Sequence, residues 1–438
     1  MSFTQGEPVD TELLDPTQET AADEELTEAV ETAAPDVLAG SLGEYVRIWG
    51  KRIRSGESGS LPVVVGLIAI IVYFQARSSL FLSAGNLVNL AIQGAPIVVL
   101  GMAEVFVLLL GEIDLSIGYT SAIAATATAW AAFSMPWWAA IILGLAVSAF
   151  IGAVLGTLVT RLRLPSFVVT LAGLLGFEGL LIELVAWSGH GSGGTIPISN
   201  SVIDGITSAN VSPTLGWILM IAIVAVAGSI MTLRDRRRRA GGLAAPPLSV
   251  TAIKIAAMAA AGVVVVVIGN QNRGLLKPVR GVPWCVVIVL GVLALWTIVL
   301  ARTRFGRYMY AIGGNAEASR RAGVNLTFVR TLAFVLAGLT SGIAGIIYAS
   351  RLGSVSTDVP GGELVLWAVA AAVIGGTHLF GGVGKMLHAV LGGVVVAAIY
   401  NGLALLGTGA ATTDIVTALV LLGAVTVDTL ARRGRRGT

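Results

Sequence analysis

The segment WWAAIILGLAVSAFIGAVLGTLVT, residues 137–160, contains no charged residue. A run of about 20 apolar residues is enough for an α-helix to cross the hydrocarbon core of a bilayer. A helix on the surface of a soluble protein would instead carry polar residues along one face. The segment therefore predicts a membrane-spanning helix.

Similar apolar segments recur along the whole chain. Two of them, residues 94–110 and 363–377, are shorter than a straight crossing needs, and we interpret such segments as broken or re-entrant helices. The predicted fold class is all-α, a polytopic transmembrane helical bundle of about 12 spans (about 10–14) in two pseudo-repeated halves. The predicted spans are residues 61–76, 94–110, 115–133, 137–160, 166–188, 214–233, 251–269, 283–301, 328–349, 363–377, 386–406 and 413–430.

The overall composition excludes a soluble globular domain. Hydrophobic residues make up 55% and charged residues 12% of the 438 positions, and the mean hydropathy is +0.86. The charged fraction of a typical soluble domain is about twice as high. A single cysteine, Cys285, leaves no intrachain disulfide, and the three histidines are too far apart in sequence for a local metal motif, so no metal site is predicted.

Charge is distributed unevenly along the chain. Residues 1–44 contain twelve Asp or Glu and no Lys or Arg, which predicts a disordered acidic tail. Residues 45–438 form the predicted transmembrane domain, and an even number of spans puts both termini on one side. Arginines concentrate in the loops of that side, for example in RDRRRR at 234–239, so the termini are predicted to be cytoplasmic. The longest loop of the opposite side, residues 189–213, is either a docking surface for an external protein or a solvated connector.

Two glycine-bounded breaks interrupt the apolar sequence at comparable places in the two halves. They are GEIDLSIG, residues 111–118, and GGTHLFGGVG, residues 375–384. Paired interruptions of this kind are typical of discontinuous helices beside the pathway of a transporter. A structural alternative for Asp114 is to cap the amides of the helix that begins after the first break. The candidate pathway residues are Glu112, Asp114, Ser116 and Thr377.

Other carboxylates lie within apolar sequence, where an ionised group is costly. Glu104 and Glu178 are predicted to hydrogen-bond between helices rather than to contact a solute. Glu183 lies near the end of a predicted span, where water solvates it.

The segment RTRFGRYMYAIGGNAEASRRAGVNLTFVR, residues 302–330, is the largest charged loop between apolar spans. Two glycines break the chain, an asparagine can cap the helix that follows, its first turn is acidic, its last turn is basic, and a glycine can end it. This pattern predicts a short surface helix that either transmits force from another protein or rests on anionic lipid. The residues concerned are Gly313, Gly314, Asn315, Glu317, Arg320, Arg321 and Gly323.

Three motifs carry a family resemblance. GRYMYAIGGNAEASRRAGV, together with GEIDLSIG and GGTHLFGGVG, resembles the ribose/xylose/arabinose branch of binding-protein-dependent ABC permeases over about residues 60–430. The family motif has Gly at the position of Glu112, so the chain departs there by adding a carboxylate. This departure, together with about twelve rather than ten spans, favours the xylose-type subgroup, whose members are longer. The acidic tail and the arginine run 234–239 lie outside the family pattern.

The resemblance implies a function and partners. The chain would be the membrane-spanning permease subunit of an ABC importer that carries a monosaccharide, xylose or another pentose, into the cytoplasm of a bacterium. It would lie in the plasma membrane as a multi-pass protein and pair with a second copy, a cytoplasmic ATPase and an extracytoplasmic sugar-binding protein, but with no nucleic acid. The residues implied in contact with the ATPase are Arg307, Gly313, Gly314, Asn315, Glu317, Arg320 and Arg321.

On this interpretation the chain is not an enzyme and binds no cofactor, because ATP and Mg would be held by the ATPase. The sequence GGVGKM, residues 381–386, is not a phosphate-binding loop, since Leu379 and Met386 replace the required Gly and Ser or Thr. The alternative function is a secondary sugar carrier driven by an ion gradient through Glu104 or Glu178. An enzyme acting on lipid-linked sugar finds no support, because no second acid or base accompanies Asp204 or Asp358 in sequence.

Overall fold

A computed structural model gives the architecture of the chain. It describes residues 61–189, 193–274 and 276–409, together with residues 43, 44, 47, 411–413, 415–419, 422, 423 and 426. The predicted acidic tail therefore lies outside the described residues except for Gly43 and Glu44, and so do nine of the 18 residues of the predicted span 413–430.

The described residues are almost entirely helical, which confirms the predicted fold class. Two short strands, β1 (Thr195–Pro197) and β2 (Ser354–Ser356), pair antiparallel. The helices are α1 (Leu61–Arg77), α2 (Ala84–Leu108), α3 (Ile117–Ala131), α4 (Trp137–Arg161), α5 (Ser166–Trp187), α6 (Ser201–Ser208), α7 (Pro213–Ala240), α8 (Leu248–Asn270), α9 (Trp284–Arg302), α10 (Arg304–Gly314), α11 (Ala316–Arg321), α12 (Leu326–Leu352), α13 (Gly361–Ile374) and α14 (Met386–Leu405).

Within the described ranges, eight helices are long and apolar enough to cross a membrane, and α1 and α13 are shorter apolar helices. Eleven of the predicted spans coincide with a helix, but the total of twelve is not confirmed. The prediction of a short span at 94–110 is wrong, because α2 already begins at Ala84. The first turns of α2 are polar, so hydropathy did not assign them to a span. Their polar groups are satisfied by tertiary contacts: Asn86 Nδ2 donates to Asn401 Oδ1 over 2.8 Å.

The described residues divide into two compact units. One contains Met220–Gly262, and the other contains the described residues of Ser58–Leu219 and Val263–Thr438. The described part of the first unit between residues 220 and 262 is a helix pair, made by the second part of α7 and the first part of α8. The larger unit holds the remaining helices and both strands.

The larger unit contains two helical motifs in opposite orientation. In the first motif, α2 is followed by an irregular segment, the short α3 and then α4; in the second, α12 is followed by an irregular segment, the short α13 and then α14. The long helices α2 and α12 pack on each other and run antiparallel, since the end of α2 lies near the start of α12. Each also packs on the last helix of the other motif. An inverted repeat of this kind is common in transporters.

The repeat differs from the predicted one. The irregular segment that corresponds to residues 109–116 is residues 353–360, which follow α12. The second predicted break, residues 375–384, instead joins α13 to α14. Sequence alone favoured 375–384 because glycines are dense there, whereas the segment after α12 contains a strand and a proline.

The two ends of the larger unit carry different structures. The basic loop (residues 302–330) forms α10 and α11 at what we term the basic-loop end. At the opposite end, the sheet end, β1 pairs with β2, and the hydroxyl of Ser350 donates to the carbonyl oxygen of Asp204 over 2.8 Å. These contacts attach the loop at 189–213 to the end of α12, so its described part is a packed element rather than a free connector.

Candidate functional site

The basic loop folds into two short helices, each with an N-cap. The hydroxyl oxygen of Thr303 accepts from the amide of Gly306 over 3.2 Å at the start of α10. The side-chain oxygen of Asn315 accepts from the amide of Ala318 over 2.9 Å at the start of α11. Beyond α11, Gly323 adopts a positive φ of 81°, which favours glycine. The predicted N-cap at Asn315, the short helix after it and its end near Gly323 are all confirmed.

The charged side chains of these helices face away from the protein. Arg307 of α10 is exposed. In α11, Glu317 forms ion pairs with Arg320 at 3.4 Å and with Arg321 at 3.3 Å. All three side chains are more than half exposed, so the pairs are accessible and contribute little to stability. An exposed, rigid and charged helix of this kind is suited to contact with another protein.

The opposite face of α10 is packed into the larger unit. Met309 is fully buried and Ile312 is 2% exposed. The hydroxyl of Tyr310 donates to the carbonyl oxygen of Gly384 over 2.7 Å. Burial raises the pKa of Tyr310 above its ordinary value, so the phenol stays protonated and remains a donor. These contacts attach α10 to the segment between α13 and α14.

Backbone contacts bring the three sequence motifs together at the basic-loop end. The amide of Gly382 donates to the carbonyl oxygen of Leu109 over 3.0 Å. Gly313 lies against both residues, and a Cβ atom there would overlap with the Leu109 oxygen. Gly381 packs against Gly111 and has a positive φ of 86°. We call Leu109, Gly111, Gly313, Gly381 and Gly382 the glycine joint.

Glu112, the residue at which the chain departs from the family motif, lies beside this joint. Its carboxylate forms an ion pair of 3.5 Å with Arg330, at the start of α12. The two side chains are 15% and 30% exposed, so solvent screens this pair less than the pairs of α11. The pair connects the first break with α12, which is a structural role in addition to the predicted pathway role.

Asp114 and Ser116 are hydrogen-bonded to each other in the first break. The carboxylate of Asp114 accepts from the amide of Ser116 over 2.9 Å and from its hydroxyl over 2.6 Å. Ser116 is the residue that precedes α3, so the carboxylate satisfies one amide at the helix start, as the structural alternative predicted. Both residues are buried, and Gly173 of α5 packs against Ser116.

Two further buried polar groups lie close to these motifs. Thr377 is 1% exposed, and its hydroxyl has no hydrogen-bond partner among the described residues. It packs against Gly384, which also lies against the side chain of Leu109 in the glycine joint. Glu104 of α2 is fully buried, with both carboxylate oxygens unpaired in the described part of the chain, and it interacts electrostatically with Asp114. No interhelical hydrogen bond of Glu104 is found among the described residues; the polar group that its carboxylate approaches is the backbone of Asp114, in the break before α3.

A close contact between two helix starts was not predicted from the sequence. The first turns of α3 and α13 meet inside the larger unit, where Gly118 lies so close to Gly361 that a Cβ atom would overlap with the Gly361 oxygen. The ring of Tyr119 covers Gly361, and its hydroxyl is within hydrogen-bonding reach of Glu178. The signal that could have found this feature is PGGE, at 360–363, where two glycines and a carboxylate open an apolar helix.

The groups at the first break and at the contact between α3 and α13 can position and recognise a polar solute. Two helix starts and a set of buried hydroxyls and carboxylates can offer hydrogen bonds to a polar solute inside a helical bundle. Among the described residues, no group of three or more His, Cys, Asp or Glu side chains could hold a metal ion.

Comparison with known proteins identifies relatives that cover most of the chain. Residues 86–425 match a protein family described as the permease component of the branched-chain amino acid transport system. The chain is similar to the xylose transport system permease protein XylH of Escherichia coli, with 35% identity over 85% of this chain and 92% of that protein. It is also similar to XylH of Haemophilus influenzae, with 36% identity over 85% and 97%.

Two more distant relatives match the same share of this chain. The ribose import permease protein RbsC of Escherichia coli is 29% identical over 85% of this chain and 93% of that protein. The fructose import permease protein FrcC of Rhizobium meliloti is 28% identical over 85% and 86%. No solved structure is significantly similar to the chain.

Proposed function

The chain belongs to the permease-component family that its residues 86–425 match, and from this premise we propose that it is the membrane-spanning subunit of an ATP-driven importer of a monosaccharide, xylose or another pentose. The observation that carries the proposal is the similarity to two xylose permeases at 35% and 36% identity over 85% of the chain. The ribose and fructose permeases are less similar, which supports the choice of xylose.

The proposed partner at the basic-loop end is a cytoplasmic ATPase that holds ATP and Mg, while this chain binds no cofactor. Arg307, Asn315 and the charged face of α11 would contact it, since they are exposed on a rigid, capped helix. Movement of α10 and α11 would reach α2 through Leu109 and the segment before α14 through Gly382. The glycine joint would thus be the mechanical link between ATP hydrolysis and the membrane helices.

The proposed pathway lies at the first break and at the contact between α3 and α13. Glu112, Asp114, Ser116 and Thr377 remain its candidate residues, and Gly118 and Tyr119 are added by the geometry. A helix start presents unpaired amides, which suits the hydroxyl groups of a sugar that has left water.

The remaining partners follow from the same proposal. The packed loop at the sheet end would receive an extracytoplasmic sugar-binding protein, and a second copy of the chain would complete the pathway. Both termini and the basic-loop end would be cytoplasmic in the plasma membrane of a bacterium, since arginines concentrate on that side.

The test is copurification of the chain with its candidate ATPase, followed by sugar uptake into proteoliposomes. The expected result is ATP-dependent uptake of labelled xylose, with weaker uptake of ribose and fructose. Glu317→Arg combined with Arg320→Glu is expected to abolish ATPase binding and ATPase stimulation, while Lys277→Glu, at the opposite end, leaves both unchanged. Uptake driven by an ion gradient, without an ATPase, would refute the proposal and establish the alternative of a secondary carrier.

A further inference from the structure

An open groove runs along the helix pair of residues 220–262. One face of α7 and Ile255 of α8 form it, and its volume is about 490 Å³. Its walls are mostly aliphatic, with the hydroxyl-bearing Ser229 and Thr232 among them, and Arg236 lies at one end. The lining residues are Val224, Ala225, Gly228, Ser229, Thr232, Leu233, Arg236 and Ile255.

The end of the groove lies in the arginine run 234–239, which neither the family resemblance nor the proposed transport function explains. Most of these arginines are exposed, including Arg236. The acidic member of the run, Asp235, is only 1% exposed. Its carboxylate accepts from the hydroxyl of Thr251 over 2.7 Å and from Nε of Arg234 over 3.2 Å. Because Asp235 is directed into the helix pair, the surface at the end of the groove is strongly positive.

The position of the groove fits a membrane lipid. An uncharged stretch at 214–233 precedes the arginines, so these lie where a helix leaves the hydrocarbon core and meets the phospholipid headgroups. The apolar walls can hold an acyl chain, and a guanidinium group is the preferred partner of a phosphate.

We propose that this groove is a binding site for an anionic phospholipid, with one acyl chain along α7 and the phosphate at Arg236. None of the residues that line the groove belongs to the glycine joint or to the candidate pathway residues. Bound lipid would hold the α7–α8 pair in place at the bilayer surface.

The test uses the full chain in nanodiscs that contain phosphatidylglycerol and phosphatidylcholine with identical acyl chains, and native mass spectrometry counts the lipids retained. The expected result is one retained phosphatidylglycerol and no comparable retention of phosphatidylcholine. Arg236→Gln should lower retention roughly fivefold, since one arginine near the surface attracts anionic lipid by about 1 kcal/mol. Ser229→Leu, which fills the groove at an exposed position, should lower it as well, and Ala225→Leu repeats this test if Ser229→Leu does not fold.

Two matched controls make the result specific. Arg161→Gln removes an exposed arginine at the end of α4, and Val226→Leu adds volume on the outer face of α7; neither should change retention. Equal retention of both lipids, or equal losses in Arg236→Gln and Arg161→Gln, would overturn the proposal. So would phosphatidylglycerol retention that appears only after deletion of residues 1–44, because the acidic tail would then be the occupant of the site.

Discussion

The amide of Gly382 donates a hydrogen bond of 3.0 Å to the carbonyl oxygen of Leu109, although the two residues belong to opposite halves of the chain. Gly313 of the basic loop packs against both. Through this contact the exposed helices of the loop are attached to the end of α2 and to the segment before α14 without a side chain in between. The contact is possible only because glycine backbones can approach so closely.

Gly313→Ala should damage this joint. The new methyl group would overlap with the Leu109 oxygen, and both partners are backbone, so relief requires the helices to separate. We expect a loss of about 1–3 kcal/mol in the free energy of unfolding in mixed micelles and a loss of ATP-dependent uptake. Gly291→Ala, in α9, is the control, since no atom lies within 4 Å of its Cβ position and the residue is outside the predicted ATPase contact. Equal effects of the two substitutions would show that the joint is unimportant.

Tyr310→Phe should loosen α10 without a steric clash. It removes the hydrogen bond to the carbonyl oxygen of Gly384 and leaves that oxygen without this donor. We expect destabilisation by about 1–2 kcal/mol and weaker coupling of ATP hydrolysis to uptake, measured as sugar transported per ATP. Tyr308→Phe on the exposed face of the same helix should change neither quantity. Normal coupling in Tyr310→Phe would rule out a role for this contact in force transmission.

Glu112 and Arg330 should show a measurable coupling energy. A double-mutant cycle with Glu112→Gln and Arg330→Gln is expected to give about 1 kcal/mol or more, because both side chains are largely shielded from solvent. The matched cycle with Glu317→Gln and Arg321→Gln should give no more than about 0.5 kcal/mol, since that pair is exposed. A higher salt concentration should lower the coupling energy of the Glu317–Arg321 pair more than that of the Glu112–Arg330 pair. The reverse order of the two coupling energies would contradict the geometry.

Gly118→Ala should block transport with the ATPase contact intact. Its methyl group would overlap with the Gly361 oxygen where the first turns of α3 and α13 meet, and the three nearest atoms all belong to Gly361 rather than to the basic loop. We expect a loss of uptake of at least about tenfold with normal ATPase copurification, because about 1.4 kcal/mol of strain already changes an equilibrium tenfold. Gly362→Ala, with no atom within 4 Å of the new Cβ, serves as control. Loss of ATPase binding in Gly118→Ala would instead indicate general misfolding.

The sequence predicted those parts of the site that depend on near neighbours in the chain. Asn315, Glu317 and Gly323 define a short capped helix through local hydrogen bonds and backbone preference, and all three lie as predicted. The motifs around them also carried the resemblance to sugar permeases of ABC transporters, which the family match and the relatives confirm. The pathway roles of Asp114 and Thr377 stay predictions, because nothing in the described structure tests them.

By itself the sequence determined the membrane class, most helix bounds and the family of this protein, because span length, capping and hydropathy are properties of consecutive residues. Only the tertiary structure decided which segments meet. Leu109, Gly313 and Gly382 come together through backbone atoms, and such contacts leave no side-chain pattern in the sequence beyond the glycines themselves. The opposite orientation of the two motifs likewise appears only in the tertiary structure, where α2 and α12 pack antiparallel. From the sequence, Asp235 would be one more exposed charge in the arginine run. In the structure it is buried and hydrogen-bonded to Thr251.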